Sequence, residues 1–198
     1  MDKRNAKPAK KRLFAAGIAL LALLLLVCLS LTVSGSIEKS RYKLAYPEQI
    51  NRYAAEFGVD PVLVASVIHC ESGNRPKVRS KSGAVGLMQI MPATGEWIAG
   101  KLDITQYQEA LLEDPEINIR MGCWYIHFLQ LRYQGNQRHV LAAYNAGHGN
   151  LDGWLDDDRY SDGGLLTYIP IEETRDYVEK VQRAYEKYKK YYGSELGG

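Results

Sequence analysis

Cysteine and histidine are scarce in this chain, with three of one and four of the other among 198 residues. No Cys/His group has the close spacing of a zinc site, and His69, His127, His139 and His148 are scattered. No metal or cofactor is therefore expected. Internal repeats and heptad runs are absent, which excludes a solenoid and a coiled coil. Convincing strand patterns are few, so the globular part reads as mainly α. Charge is missing entirely from Leu13 to Val33, a stretch made mostly of Leu, Ala and Val. Beyond residue 12 there is no dense basic run. That part of the chain holds 19 basic against 22 acidic side chains, a mildly acidic balance that argues against nucleic acid as a partner.

The uncharged run is long enough to cross the roughly 30 Å hydrocarbon layer as a helix. Lys3, Arg4, Lys7, Lys10, Lys11 and Arg12 precede it, against a single Asp2. This flank predicts a cytoplasmic tail at 1–12, a transmembrane signal-anchor at 13–33 and an extracytoplasmic domain beyond it. A cleaved signal peptide is the rival, cut after Ser36, but its apolar region would usually span about 7–15 residues. Residues 34–46 read as a polar linker, 47–192 as the domain and 193–198 as a tail. Cys28 falls in the span, and Val27 precedes it where a lipid-attachment cysteine would follow a small residue. Cys70 and Cys123 each sit on an apolar helix pattern and read as buried free thiols. A bridge between them is chemically permitted outside the cytoplasm, but spacing alone does not establish it.

Proline and cap residues mark the helices. Pro47 opens one with Ile50, Tyr53, Ala54 and Phe57 on one face, stopped by Gly58. Asp60-Pro61 opens a second, Pro92 a third and Asp114-Pro115 a long fourth reaching about Tyr133. The fourth is apolar on two faces, which predicts a central, buried helix. A shorter helix covers Gln137 to Ala146. The last, Glu172 to Tyr192, carries a stripe of Tyr177, Val181, Tyr185, Tyr188 and Tyr192 that reads as core packing. Loops are expected at 73–85 and at 147–170, the latter with Trp154 as an accessible anchor and with Asp152, Asp156, Asp157, Asp158 and Asp162 as solvated charge.

One acidic residue stands out. Glu71 shares a helix stripe with Val64, Val67 and Ile68. A carboxylate on an apolar face is costly to ionise, and the negative end of the helix dipole adds to that cost. A carboxyl kept protonated near neutral pH is what a general acid needs. Read alone, it is better taken as a glutamate at a helix end with its head in water.

Four segments occur in a telling order: Glu71-Ser72-Gly73 with Ser80 nine residues on; Gly86-Leu87-Met88-Gln89-Ile90-Met91-Pro92-Ala93-Thr94; Ala142-Ala143-Tyr144-Asn145-Ala146-Gly147; and Glu173-Thr174-Arg175-Asp176-Tyr177-Val178. Over about residues 46–192 the chain resembles the lytic transglycosylases of the soluble type. The resemblance implies a goose-lysozyme-like helical domain with at most a small β element, preceded here by one transmembrane helix. It implies cleavage of the β-1,4 bond between N-acetylmuramic acid and N-acetylglucosamine in peptidoglycan, with the muramyl 6-hydroxyl closing on its own anomeric carbon. Glu71 matches the family's sole catalytic acid/base. Ser80 matches a serine that hydrogen-bonds that carboxyl, and Met88 and Gln89 match groove-lining residues. Tyr144, Asn145, Tyr168 and Glu173 complete the expected substrate-binding set. Cys70 departs from the pattern, where an apolar residue or Ala would be expected.

Ordinary glycosidases need two carboxylates. No second acidic residue has a setting like that of Glu71, which fits an intramolecular attack. Two alternatives remain at this stage: a goose-type lysozyme hydrolase, and a non-catalytic wall-binding or scaffold module. The expected partners are glycan strands and the cytoplasmic membrane through 13–33, with the catalytic domain on the cell-wall side.

Overall fold

The computed structural model describes residues 6–197; at the start of its first helix, side chains are described only at Phe14, Gly17, Leu21 and 23–30, and from 32 onward. The expected tail therefore lies outside the described residues at 1–5. The chain forms two units, Met1–Lys43 and Leu44–Gly198.

Among the described residues the first unit holds a single helix, α1 (Ala6–Arg41). The hydroxyls of Ser30, Thr32, Ser36 and Ser40 each donate to a carbonyl three or four residues back. Such bonds keep the hydroxyls satisfied within the helix. Among the described residues, Leu23–Arg41 is long and apolar enough to cross a membrane, with a mean hydropathy of 1.5. Helix α1 continues through Arg41, so most of the segment expected as a linker is helical.

The second unit holds α2 (Pro47–Phe57), α3 (Pro61–Ser72), α4 (Pro92–Lys101), α5 (Pro115–Arg132), α6 (Gln137–Ala146), α7 (His148–Leu155) and α8 (Glu172–Tyr192). A 3₁₀ turn at Glu109–Glu113 leads into α5. The Asp-Pro signals act as expected: Asp60 Oδ1 accepts the Val62 amide at 2.8 Å, and Asp114 Oδ1 that of Glu116 at 2.7 Å. Helix α5 packs against α2, α4, α6 and the 3₁₀ turn, which accounts for its two apolar faces. Helix α3 lies between α2 and α8. Tyr177, Val181 and Tyr188 are buried, so the α8 stripe is core.

The 147–170 segment departs from the sequence reading. It is not one long loop: α7 occupies its first third, and Ser161–Asp162 (β1) pairs antiparallel with Leu165–Leu166 (β2). His139 Nε2 accepts the Leu166 amide at 3.0 Å and ties this hairpin to α6. Glycines at 149 and 153 masked the helix signal. Trp154 is buried on α7 rather than an accessible anchor. Asp152 is not simply solvated, because it pairs with Arg132 and accepts from the Tyr133 hydroxyl at 2.8 Å.

Candidate active site

Glu71 is the penultimate residue of α3. Gly73 adopts φ 59° and returns its amide to His69 O, ending the helix immediately after the glutamate. Val64, Val67 and Ile68 are wholly buried, so the stripe below Glu71 is sealed by the core. The glutamate itself lines a cavity of about 560 Å³. Burial, above all, pushes its carboxyl up to about 7, and the nearby Glu173 carboxylate adds to the rise. The Tyr177 hydroxyl and the Lys180 ammonium act in the opposite direction. Among the described residues the buried Tyr177 hydroxyl has no hydrogen bond of normal geometry, yet it lies close enough to Glu71 to favour the ionised form. Lys180 Nζ donates to Cys70 O at 2.8 Å, placing a cation at the carbonyl end of α3.

The loop after α3 is shaped by a residue the sequence reading overlooked. Asn118 on α5 is wholly buried. Its Oδ1 accepts the Met88 amide at 2.7 Å, and its Nδ2 donates to Val85 O at 3.0 Å and to Leu112 O at 2.8 Å. Gly86 passes so close that a Cβ there would stand 2.1 Å from Leu112 O and 2.2 Å from Asn118 Nδ2, at φ +86°. This clamp delivers Gln89 to the groove wall. Gln89 Nε2 donates to Val78 O and Gly86 O, so its amide protons hold the loop and only its Oε1 is left for a ligand.

Helix α6 ends at the same place. The Tyr144 hydroxyl donates to Met88 O at 2.8 Å, which fixes its ring. Asn145 Oδ1 accepts from Thr174 Oγ1 at 2.7 Å, leaving its N–H₂ without a protein acceptor among the described residues. Asn145 lines the Glu71 cavity and also an adjoining hollow of about 210 Å³ shared with Gln89 and Tyr144.

The chain as a whole is similar to known proteins. The transglycosylase SLT domain model matches residues 48–165. The chain belongs to that family. It is 35% identical over 157 residues to the soluble lytic murein transglycosylase of Escherichia coli K12, covering 78% of this chain and 24% of that protein. It is 29% identical over 181 residues to the membrane-bound lytic murein transglycosylase C of Yersinia pestis, covering 80% of this chain and 50% of that one. The crystal structure of the 70 kDa soluble lytic transglycosylase of E. coli superposes with a TM-score of 0.72 at 31% identity, over 84% of this chain and 29% of that one. The expected lysozyme-type helical fold is thus shown. The chain spans about a quarter of the length of the soluble relatives and half of the membrane-bound one.

The expected residues do not all come together. Glu71, Asn145 and Glu173 meet at the larger cavity, and Gln89, Tyr144 and Asn145 at the smaller. The others lie elsewhere. Met88 is wholly buried and fills the space over Gly122, where a Cβ would stand 2.1 Å from its sulfur; it packs the core and does not line the groove. Ser80 Oγ accepts the Ala84 amide at 2.9 Å and caps its own turn, and among the described residues no hydrogen bond joins it to Glu71. Tyr168 is exposed beside neither cavity, its ring under the Arg175 guanidinium and its hydroxyl accepting from Arg175 Nη1 at 3.1 Å.

Beyond Glu173, the sequence reading missed what α8 contributes to the site. Five residues of that helix, Glu172, Glu173, Asp176, Tyr177 and Lys180, line the larger cavity opposite Glu71. The family match stops before this helix. Once Glu173 was placed in the site, helical spacing could have brought Tyr177 and Lys180 with it, four and seven residues on. Cys70 is free, and burial pushes its thiol up to about 11, which keeps it protonated and poorly nucleophilic; Cys123 is buried and also free.

Proposed function

We propose that this chain is a membrane-anchored lytic transglycosylase of peptidoglycan, cutting the β-1,4 bond between N-acetylmuramic acid and N-acetylglucosamine without water. The observation that carries this reading is Glu71, a carboxyl whose pKa is raised by burial to about 7 at the wall of a cavity large enough for sugar rings. Protonated, it gives its proton to the glycosidic oxygen as the bond to the muramyl anomeric carbon breaks. The N-acetylglucosamine side leaves with a 4-hydroxyl. The Glu71 carboxylate then takes the proton from the muramyl 6-hydroxyl while that oxygen bonds to the anomeric carbon, closing a 1,6-anhydro ring and restoring the acid. No enzyme nucleophile, metal or cofactor takes part. Asn145, with an uncommitted N–H₂, and Gln89, with its Oε1, offer complementary partners to N-acetyl groups. Holding the 6-hydroxyl against the anomeric carbon is an orientation effect of the cavity walls.

Anchoring through 13–33, with the N-terminus cytoplasmic and the SLT domain on the wall side, is part of the proposal. The helical, apolar α1, the basic flank and the membrane-bound relative support it. Glu172, Glu173 and Asp176 at the cavity give a hydrolytic outcome some standing, since a second carboxylate could activate water. Mass spectrometry of digested sacculi separates the two. The expected products carry anhydro ends, lighter by one water than hydrolytic ones, and disappear with Glu71→Gln. Reducing ends would replace the proposal with hydrolysis, and binding without release would make the chain a scaffold.

A further inference from the structure

The groove does not stop at Asn145. In the adjoining hollow Tyr144 and Asn145 are joined by Gln89, Met91, Thr94 and Tyr125. From there a series of ring contacts joins Tyr144 to Trp97, which lies outside the lining of the hollow but meets its Tyr125 at 6.3 Å. The Tyr144 ring lies 5.5 Å from Tyr125, which stacks on Phe128 at 6.2 Å and 13°. Phe128 in turn meets Trp97 at 5.0 Å and His148 at 5.8 Å, the latter following the groove residue Gly147. Trp97 stands one turn beyond Thr94 on α4. Three near-perpendicular contacts, with Trp124, Tyr125 and Phe128, fix its plane, yet it remains 37% exposed. The chemistry at Glu71 uses none of these rings beyond Tyr144.

The hollow has no ionised side chain in its lining, which consists of amide, hydroxyl, aromatic and aliphatic groups. Such a lining offers no counter-charge to a peptide stem or a phosphate and suits a neutral sugar. A β-1,4-linked pyranose carries its substituents around its edge and presents apolar C–H groups on both faces. Such a face packs on an aromatic ring, while the edge seeks amides and hydroxyls. A rigid, partly exposed indole loses little freedom on binding. We infer that Trp97, at the end of the Tyr144–Tyr125–Phe128 ring series, forms a distal subsite for an N-acetylhexosamine of the same glycan strand that is cut at Glu71. This rests on the proposed reading of the groove. It adds a preference for strands long enough to reach from Glu71 to Trp97.

The test uses the full chain in detergent, carrying Glu71→Gln to prevent cleavage, titrated with chitobiose and chitohexaose under tryptophan fluorescence. The hexamer is expected to bind at least about tenfold more tightly than the dimer and to shift the emission. Adding Trp97→Ala should weaken the hexamer about tenfold and change the dimer by less than about twofold. Trp97→Phe, which keeps a ring in the packing, should retain part of the affinity while the emission shift disappears, and it serves if the alanine variant does not fold. An unchanged hexamer affinity and emission shift in the phenylalanine variant would overturn the subsite. If anhydro products are still released by the active enzyme in that case, the subsite alone fails; if neither oligomer binds the parent, the groove reading fails and takes the subsite with it.

Discussion

Replacing Glu71 by Gln should stabilise the protein at alkaline pH while abolishing its activity. The amide has the shape of the protonated acid and never ionises. In the unfolded chain the glutamate titrates near its ordinary 4.5, whereas in the folded protein burial holds it near about 7. The folded state therefore binds the extra proton between those values, and stability relative to the glutamine variant falls as pH rises through that window. Below about 4.5 both forms are neutral in both states and the two proteins should be equally stable. Above about 7 the wild type must hold a buried carboxylate, and the full penalty is present. At about 1.4 kcal/mol for each tenfold change in proton affinity, the ceiling is about 3 kcal/mol in favour of Glu71→Gln. Screening by the open side of the cavity brings the expected difference nearer about 1–2 kcal/mol. Urea denaturation of both full chains in detergent at a series of pH values reads it directly. A variant that is less stable than wild type at pH 8, by an amount that does not vary with pH, would show that Glu71 is ionised and well satisfied at neutrality, and the general-acid argument would collapse.

The same carboxyl sets the pH–rate profile: kcat/KM on glycan strands should fall tenfold per pH unit above about 7, as the acid is lost. Tyr177→Phe removes a hydroxyl that favours ionised Glu71, so this alkaline limb should move to higher pH; a limb that stays put or moves down would refute that role. Because the buried hydroxyl has no hydrogen bond of normal geometry among the described residues, its loss should leave stability unchanged or raise it by up to about 1 kcal/mol at about pH 5, where folded Glu71 is protonated, as thermal denaturation would show. Asn118→Ala severs three buried hydrogen bonds and should cost about 2–4 kcal/mol in urea denaturation, with activity lost through the loosened 85–90 loop.

The helices were legible because their signals are local. Asp-Pro starts, glycine stops and periodic apolar stripes located α2, α3, α5, α6 and α8 before any tertiary contact was considered. Helix α7 was hidden because two of its eight residues are glycine and it draws its stability from burying Leu151 and Trp154. In the site, Glu71 was legible because an ionisable group on an apolar stripe is a conflict visible in sequence. Asn118 was not, since a lone polar residue on a two-faced apolar helix gives no hint of which carbonyls it will reach 6 and 33 residues away. Ser80 and Met88 show the limit of transferring roles by motif. Both occupy the expected position, yet local hydrogen bonding and packing direct them into the loop and the core.

The cavity also explains how one carboxyl could serve twice. An acid that is too strong is already ionised when the glycosidic oxygen needs its proton, and one that is too weak leaves a base reluctant to release the proton again. A value near the working pH balances both steps. Here that value is a compromise between opposing groups. Burial at the end of α3 and Glu173 push the carboxyl up; Tyr177 and Lys180 restrain it. Every one of those charged or hydroxyl-bearing neighbours comes from α8, so the packing of α8 on α3 sets the proton affinity of Glu71. A substitution that shifts α8 without touching the cavity should therefore move the pH profile before it lowers the maximal rate. Ala184, buried on the same helix two turns beyond Tyr177, is the place to make it. Ala184→Val should cost about 1–3 kcal/mol by overpacking and displace the alkaline limb, whereas a loss of maximal rate with the limb unmoved would show that Glu71 is tuned by α3 alone.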